Sequence, residues 1–404
     1  MRRINSSLSS DDISVIMGPY WFDRYRACDA RAEQVSGQFR DIHLRNVLIS
    51  RALAWAYGLF DVTGRGQQMM SSSGGSCWAL ILAGGSGTRL RSLTTTSAGI
   101  SIPKQFCSLR GGPSLLHEAL QRALIVAPIE RICVVVAAQH RRWWQKPLEI
   151  LPPRNVIIQP GNCGTASGIL LPLLQILARD PGATIVILPS DHHVDNEAIL
   201  AHALRAAVTA LDGHGNDVLL LGIEPEEADP ELGYIVPDAP SGDRTAAVLK
   251  FIEKPTVDEA EELIAHGALW NAFIIAGRAA SLLQLFERNT PELVLRMRKA
   301  LQASSTGCAD PDALRALYGT LATQDFSRHI FLGQEPHLRV MRVPACGWSD
   351  IGTPKRVVVA IDRMDMNGPL GSENGREHGV LNLAAEHSRR RTDAASSSTA
   401  GTSQ

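Results

Sequence analysis

The sequence lacks the features that mark membrane, secreted and nucleic-acid-binding proteins. Its 404 residues contain no apolar run near the length of about 20 residues that a membrane span needs. Its seven cysteines form no CxxC pair, which argues against a disulfide framework or a zinc ribbon. Acidic and basic residues nearly cancel to a net charge of −1, so the chain has no general attraction to polyanions. We therefore expect a cytoplasmic protein with small-molecule substrates and no membrane or nucleic-acid partner, and the sequence leaves a homo-oligomer open.

Short apolar segments alternate with longer helical patterns between residue 77 and about residue 216. The segments ICVVV and TIVIL have no polar alternation, which is typical of strands covered by helices on both faces. This order predicts an α/β fold, a Rossmann-like and mostly parallel sheet with helices on both faces. From about Asp217 the apolar segments become shorter and are bounded by turns, which predicts a mixed-sheet extension.

The most specific local pattern is LILAGGSGTRL at residues 80–90, where an apolar run passes directly into three glycines. Glycines allow backbone N–H groups to turn toward an anion, and the guanidinium of Arg89 can donate two parallel hydrogen bonds to a polyphosphate. No lysine follows Gly87 as a P-loop requires, and Leu90 stands where a dinucleotide motif has its third glycine. The segment predicts a nucleotide site, and the alternative is a plain tight turn between a strand and a helix.

Further motifs follow this loop in a fixed order. They are PKQF from Pro103, QPGNCGTA from Gln159, LPSDHHV from Leu188, ELGYI from Glu231, FIEKP from Phe251, LWNAFI from Leu269 and WSDIGT from Trp348. Together with GGSGTRL they resemble the sugar-phosphate nucleotidylyltransferases, and among these the mannose-1-phosphate guanylyltransferase family, over residues 77–365. The chain has Cys163 and Ser167 where arginine and proline are frequent in that family.

The resemblance implies a reaction of GTP with mannose 1-phosphate that gives GDP-mannose and pyrophosphate, with Mg²⁺ as cofactor. It implies that Arg89 holds the β and γ phosphates of the nucleotide and that Lys104 contacts the phosphate under attack. The alternative for both cations is an ordinary solvated surface side chain. The nucleotide-binding positions that the resemblance implies are Leu82, Ala83, Gly84, Gly85, Gly87, Thr88, Gln159, Asn162, Gly164 and Thr165.

Two acidic residues, Asp191 and Asp350, are candidate ligands for Mg²⁺, and Asp191 is also a candidate catalytic residue. A hard cation prefers carboxylate and phosphate oxygens, and one carboxylate rarely fixes an ion that bridges two phosphates, so we expect the two to meet in space. Either residue could instead cap the helix that follows it, the second helix starting near Pro354. The run DHHVD at 191–195 also allows a hydrolytic metal site, although no HExxH or other ligand set accompanies it.

The resemblance also implies that the mixed-sheet extension binds the sugar and forms a sugar-phosphate pocket. Gly233 and Tyr234 would lie against the sugar ring, Glu253 would accept hydrogen bonds from hydroxyls, Lys254 would bind the phosphate and Asn271 would complete the pocket. Glu253 and Lys254 could instead form an ordinary ion pair at the end of a strand, where exposed pairs contribute little stability.

We divide the chain into an N-terminal extension (1–76), a nucleotidylyltransferase domain (77–380) and a disordered tail (381–404). The extension is either a small helical appendage or the product of a misassigned start near Met69, and the tail is too polar to fold. Many bacterial relatives carry a C-terminal isomerase module for which this sequence has no room, so we expect transferase activity alone. The alternatives are the same reaction with UTP or dTTP and glucose 1-phosphate, and a non-catalytic subunit that senses a nucleotide sugar.

Overall fold

The computed structural model describes residues 76–367, apart from 97–98, 110, 212–214, 239–244 and 303–309. The predictions for the N-terminal extension and for the C-terminal tail lie outside the described residues.

The strands of the described chain form one sheet. They are Cys77–Ala83 (β1), Ile132–Ala137 (β2), Val156–Gln159 (β3), Thr184–Pro189 (β4), Val218–Ile223 (β5), Gly233–Pro237 (β6), Thr245–Glu253 (β7), Leu269–Arg278 (β8) and Leu338–Val343 (β9). Their order across the sheet is β3-β2-β1-β4-β8-β5-β9-β7-β6.

Helices lie between and after these strands. Their bounds are Leu115–Val126 (α1), Arg141–Trp144 (α2), Gly164–Arg179 (α3), Glu197–Ala210 (α4), Val257–Ala265 (α5), Ala279–Asn289 (α6), Pro291–Gln302 (α7), Pro311–Tyr318 (α8) and Pro354–Asn367 (α9). Two apolar cores result: α1, α4 and α9 contribute buried side chains to one, and α3, α6 and α7 to the other. The prediction of an α/β fold is confirmed.

The first four strands are parallel, as predicted. β1 pairs with β2 and with β4, and β2 pairs with β3. Parallel neighbours need a crossover connection, which α1 supplies between β1 and β2 and α3 supplies between β3 and β4. The carboxyl ends of β1 and β4 consequently lie at the same edge, where Ser190 donates from its backbone N and its Oγ to the carbonyl oxygen of Leu82 at 3.2 and 2.6 Å.

The other half of the sheet is mixed, as predicted for the segments after about Asp217, so the prediction of a mostly parallel sheet applies only to β1 to β4 and is not confirmed for the whole sheet. β8 is antiparallel to β4, β5 and β6, and β7 is antiparallel to β6 and β9, while β5 and β9 are parallel. These strands continue the parallel ones in the same sheet. An apolar run indicates that a strand is buried, but its neighbours and direction depend on contacts distant in sequence.

Candidate active site

The glycine loop after β1 is held by the segment PKQF. The buried amide of Gln105 donates from Nε2 to the carbonyl oxygens of Ala83 at 3.0 Å and of Gly85 at 2.8 Å. Gly87 has a φ of 60°, and a Cβ there would lie 2.9 Å from the backbone nitrogen of Lys104. Only glycine fits this close approach without strain. The loop is thus fixed by contacts to a distant segment, which a plain strand-to-helix turn does not need.

Lys104 is buried and lies between the two acidic motifs. Its Nζ is 2.9 Å from Asp191 Oδ2 and donates to the main-chain oxygen of Asp350 at 2.5 Å. The side chain of Lys104 is 8% exposed, so the solvated surface position considered above is excluded. The side chain of Asp191 remains 38% exposed and can be reached by a ligand.

Asp191 and Asp350, far apart in sequence, are brought together by a short antiparallel bridge. The backbone nitrogen and oxygen of His193 exchange two hydrogen bonds of 2.9 Å with those of Ser349. Neither carboxylate caps the following helix. The side chain of Asn196 accepts from the backbone nitrogen of Ile199 at the start of α4, and Thr353 Oγ1 accepts from the backbone nitrogen of Arg356 at the start of α9.

Both carboxylates are held ionised. Burial opposes ionisation of Asp191, but the charge of Lys104, the neighbouring His192 and hydrogen bonds to the carboxylate together hold the pKa of Asp191 below its ordinary value. At Asp350, burial likewise opposes ionisation and the guanidinium of Arg356 lowers the pKa. Burial lowers the pKa of His192 to about 4, so this ring is neutral at pH 7.

Asp191 and Asp350 offer the type of ligand atom that a magnesium ion prefers. Both supply hard carboxylate oxygens, and Mg²⁺ usually binds through one or two carboxylates with phosphates and water completing its shell. Within the described ranges, no three or more His, Cys, Asp or Glu side chains are grouped as a metal site. A hydrolytic zinc site in the run 191–195 would need such a group.

The segment expected to frame the base packs against residues 324–326. Gly164 has a φ of 88°, and a Cβ there would lie 2.1 Å from the carbonyl oxygen of Gln324. Thr165 Oγ1 accepts from the backbone nitrogen of Phe326 at 2.7 Å.

Gln159 lies under the glycine loop, where its Oε1 would be 3.0 Å from a Cβ on Gly84. Asn162 accepts from the backbone nitrogen of Gly164 at 3.1 Å.

The remaining nucleotide positions lie along the loop itself. Leu82 is half-buried and Ala83 is fully buried at the end of β1, so the side chain of Ala83 is not accessible to a ligand. Gly85 and Thr88 are exposed. The open side of the loop therefore faces solvent at the carboxyl edge of β1, where ligands bind in sheets of this kind.

Three of the predicted sugar-pocket residues meet around the start of β6. A Cβ on Gly233 would lie 2.7 Å from Glu253 Oε2 and 3.5 Å from the Cβ of Asn271. Burial and the nearby carboxylate of Asp325 raise the pKa of Glu253. Asn271 Oδ1 accepts from the backbone nitrogen of Phe273 at 3.0 Å, which leaves its amide NH₂ for another partner.

Tyr234 does not line this pocket with its side chain, contrary to the expectation that it lies against the sugar ring. The residue is fully buried. Its hydroxyl accepts from the indole nitrogen of Trp270 at 3.2 Å and donates to the main-chain oxygen of Asp229 at 3.1 Å. Alternation along β6 explains the difference, because Gly233 and Tyr234 face opposite sides of the sheet.

Two cations that are expected to bind different phosphates share one carboxylate. Glu231 Oε2 is 3.9 Å from Arg89 Nη1 and 3.8 Å from Lys254 Nζ. Lys254 therefore pairs with Glu231 across the loop, and the strand-end pair with Glu253 is not formed. The glycine loop and the end of β7 consequently lie within reach of one side chain.

Residues 78–365 match the nucleotidyl transferase family. The chain belongs to this family. Xanthan biosynthesis protein XanB of Xanthomonas campestris pv. campestris (strain B100) is 30% identical over 308 residues, which are 75% of this chain and 62% of that protein. Mannose-1-phosphate guanylyltransferase of Klebsiella pneumoniae is 29% identical over 235 residues, 56% of this chain and 48% of that protein. The chain thus spans about half of the second relative and less than two thirds of the first.

A solved structure supports the same family. The crystal structure of a Thermus thermophilus protein described as mannose-1-phosphate geranyltransferase superposes with a TM-score of 0.59 at 26% identity, covering 69% of this chain and 76% of that one. The resemblance expected from the motifs is confirmed at the level of the family. In the described ranges, no helix of this nucleotidyl transferase has the length and apolar content to cross a bilayer.

Backbone strain in this family member is concentrated at the site. Among the described non-glycine residues, Lys254, Phe273 and Ile351 have positive φ values of 53°, 54° and 44°. Each such residue costs about 1–2 kcal/mol relative to its ordinary conformation. Lys254 is itself a predicted phosphate-binding residue, and the other two lie within two residues of Asn271 and Asp350. Strain of this kind persists where the surrounding fold fixes a functional geometry.

Several residues that shape the site have no role predicted from the sequence. The amide of Gln105 holds the glycine loop, and its position inside the motif PKQF was a signal that could have identified it. Gln324 and Asp325 approach the base segment and Glu253, yet nothing in their local sequence marks them. Arg356 lies beyond WSDIGT, outside every quoted motif, and reaches Asp350.

Proposed function

We propose that this chain is a mannose-1-phosphate guanylyltransferase that makes GDP-mannose and pyrophosphate from GTP and mannose 1-phosphate with Mg²⁺. One observation carries the proposal: beside the glycine loop, the buried ammonium of Lys104 contacts both the carboxylate of Asp191 and the main-chain oxygen of Asp350. The name of the Klebsiella relative supports the choice of mannose and guanine.

In the proposed reaction an oxygen of the sugar phosphate attacks the α-phosphorus of GTP. The bond from that phosphorus to the bridging oxygen of pyrophosphate breaks, and no covalent enzyme intermediate is needed. Positioning and charge stabilisation are the main requirements of such a transfer. Arg89 would bind the β and γ phosphates, Lys104 the phosphate under attack and Lys254 the phosphate of the sugar.

The magnesium ion would be held by Asp191 and Asp350. Bound there, it would neutralise charge that develops on the phosphate oxygens. The rest of the work falls on the chain's own residues: the glycine loop would orient the triphosphate, while Glu253 and Asn271 would orient the sugar. Gln159, Asn162, Gly164 and Thr165 would frame the base.

The test is a panel of purified full-length protein with GTP, UTP or dTTP and with mannose 1-phosphate or glucose 1-phosphate, read out by pyrophosphate release. We expect GTP with mannose 1-phosphate to have a kcat/KM at least about tenfold above every other pair, because hydrogen-bonded recognition of a base discriminates strongly. Removal of Mg²⁺ with EDTA should abolish release, and added Mg²⁺ should restore it.

Other outcomes identify other functions. A preference for UTP or dTTP with glucose 1-phosphate would assign the same chemistry to another nucleotide sugar. Protein that binds GDP-mannose and releases no pyrophosphate with any pair would be a sensor of the nucleotide sugar. Cys163 and Ser167, which differ from the residues frequent in the family, lie in or next to the segment expected to frame the base. The comparison of GTP with UTP and dTTP is therefore the decisive part of the panel.

A further inference from the structure

Arg356, in the first turn of α9, joins the Asp350 loop to a second loop of the sheet. Its Nη1 donates to Asp350 Oδ1 at 2.6 Å. On the other side, its Nε donates to Asp229 Oδ2 at 2.8 Å and its Nη2 lies 2.5 Å from the same oxygen. The side chains of Arg356, Asp229 and Asp350 are 12%, 13% and 17% exposed, so water screens these charges weakly.

The carboxylate of Asp350 is fixed through one of its two oxygens. Oδ1 accepts from Arg356 and also from the backbone nitrogen of Gly352 at 2.9 Å. Across the described residues, no hydrogen bond reaches Oδ2. A Cβ on Gly352 would lie 2.5 Å from Oδ2, so glycine at this position leaves that oxygen uncovered. One oxygen is therefore held by the protein and the other is left for a ligand.

The second loop leads into the sugar-binding strand. Asp229 Oδ1 accepts from the backbone nitrogen of Glu231 at 2.9 Å, while its own backbone nitrogen donates to the hydroxyl of Tyr234 at 2.9 Å. Tyr234 lies in β6 directly after Gly233 of the sugar pocket. The guanidinium of Arg356 thus connects the Asp350 loop to the entry of β6.

We propose that Arg356 is a positioning residue that holds Asp350 Oδ1 so that Oδ2 faces the divalent cation, and that it couples the cation site to the loop entering β6. This inference rests on the proposed function for its metal. The planar guanidinium suits this place, since it can bind two carboxylates in fixed directions and stays charged. The partners that orient metal ligands typically change metal affinity by about 10–100-fold when they are removed.

The test compares Arg356→Gln and Arg356→Lys with the matched control Arg298→Gln, which also removes an arginine from an ion pair. Arg298 lies on α7 and forms a surface ion pair with Glu287 at 2.8 Å. The direct readout is Mn²⁺ binding to full-length protein saturated with GTP, followed by electron paramagnetic resonance of the free ion. We expect Arg356→Gln to weaken Mn²⁺ binding by about tenfold or more and Arg298→Gln to leave it unchanged. The Mn²⁺ affinity of Arg356→Lys should lie between these two, because lysine keeps the positive charge but lacks the planar guanidinium that can bind two carboxylates at once.

A second readout is the Mg²⁺ concentration for half-maximal pyrophosphate release. This Mg²⁺ concentration should rise in Arg356→Gln by the same factor, and kcat should be largely recovered at high Mg²⁺. A general loss of folding would instead lower kcat at every Mg²⁺ concentration. If Arg356→Gln does not fold, Arg356→Lys carries the test alone. Folded Arg356 variants that bind Mn²⁺ as tightly as the wild type, or a wild-type protein that binds no Mn²⁺, would overturn the inference. Mn²⁺ binding without pyrophosphate release would reject the transferase and leave this assignment of Arg356 standing.

Discussion

Substitution of Gly164 by alanine should strongly disturb the segment that is expected to frame the base. The added Cβ would lie 2.1 Å from the carbonyl oxygen of Gln324, 2.7 Å from its carbonyl carbon and 2.8 Å from its nitrogen, all of them backbone atoms. The φ of 88° is itself unfavourable for alanine, at about 1–2 kcal/mol. The clash must be relieved by moving residues 324–326 away from α3.

That movement would break the hydrogen bonds between the two segments. The backbone nitrogen of Ala166 donates to the oxygen of Gln324 at 3.1 Å, and the backbone nitrogen of Gln324 donates to the oxygen of Cys163 at 3.1 Å. Thr165 Oγ1 accepts a third bond from Phe326. At about 1 kcal/mol net for each bond, and with the backbone strain added, we expect the free energy of unfolding to fall by about 2–5 kcal/mol.

The assay is urea unfolding of the wild type, Gly164→Ala and the control Gly161→Ala. The control lies three positions earlier in the same loop, and a Cβ there meets nothing within 4 Å. We expect the urea midpoint of Gly164→Ala to fall by about 1–2 M, from a slope of about 2–3 kcal/mol per molar urea, and that of Gly161→Ala to move little. The KM for GTP should rise in Gly164→Ala alone. Equal midpoints for the two variants would refute the assigned contact with Gln324.

Two further predictions concern charge and burial. Asp191→Asn and Asp350→Asn should each lower the rate of pyrophosphate release by about a hundredfold or more while part of the nucleotide binding remains, because metal stabilisation of phosphate charge is worth several kcal/mol. The control Asp362→Asn, at an exposed position of α9, should behave as the wild type. Near-normal rates in both site variants would reject the metal assignment. Burial raises the pKa of Cys107 to about 12, so its thiolate is scarce at pH 8. Peptide mapping should find Cys107 unmodified after iodoacetamide treatment of the native protein at pH 8 and alkylated in urea, and equal labelling in both conditions would show that the thiol is accessible.

Local sequence was sufficient for the elements that depend on local chemistry. Apolar runs predicted β1, β2 and β4, and glycines predicted a loop after β1, because these depend on burial and on backbone freedom within a few residues. Strand β9 was not predicted, and β8 was placed in an extension, although it pairs with β4 at the centre of the sheet. Strand partners are chosen by packing across the fold, which a local pattern does not record.

The sequence by itself determined the family and the residue types available for phosphate, metal and sugar. Only the tertiary structure decided how they are used. The bridge between His193 and Ser349 brings two aspartates together around Lys104, β6 turns Tyr234 into the core, and α9 places Arg356 against Asp350. The physical reason is that a motif fixes chemistry over a few residues, while charges far apart in the chain meet only when the fold brings their strands and loops to one edge of the sheet.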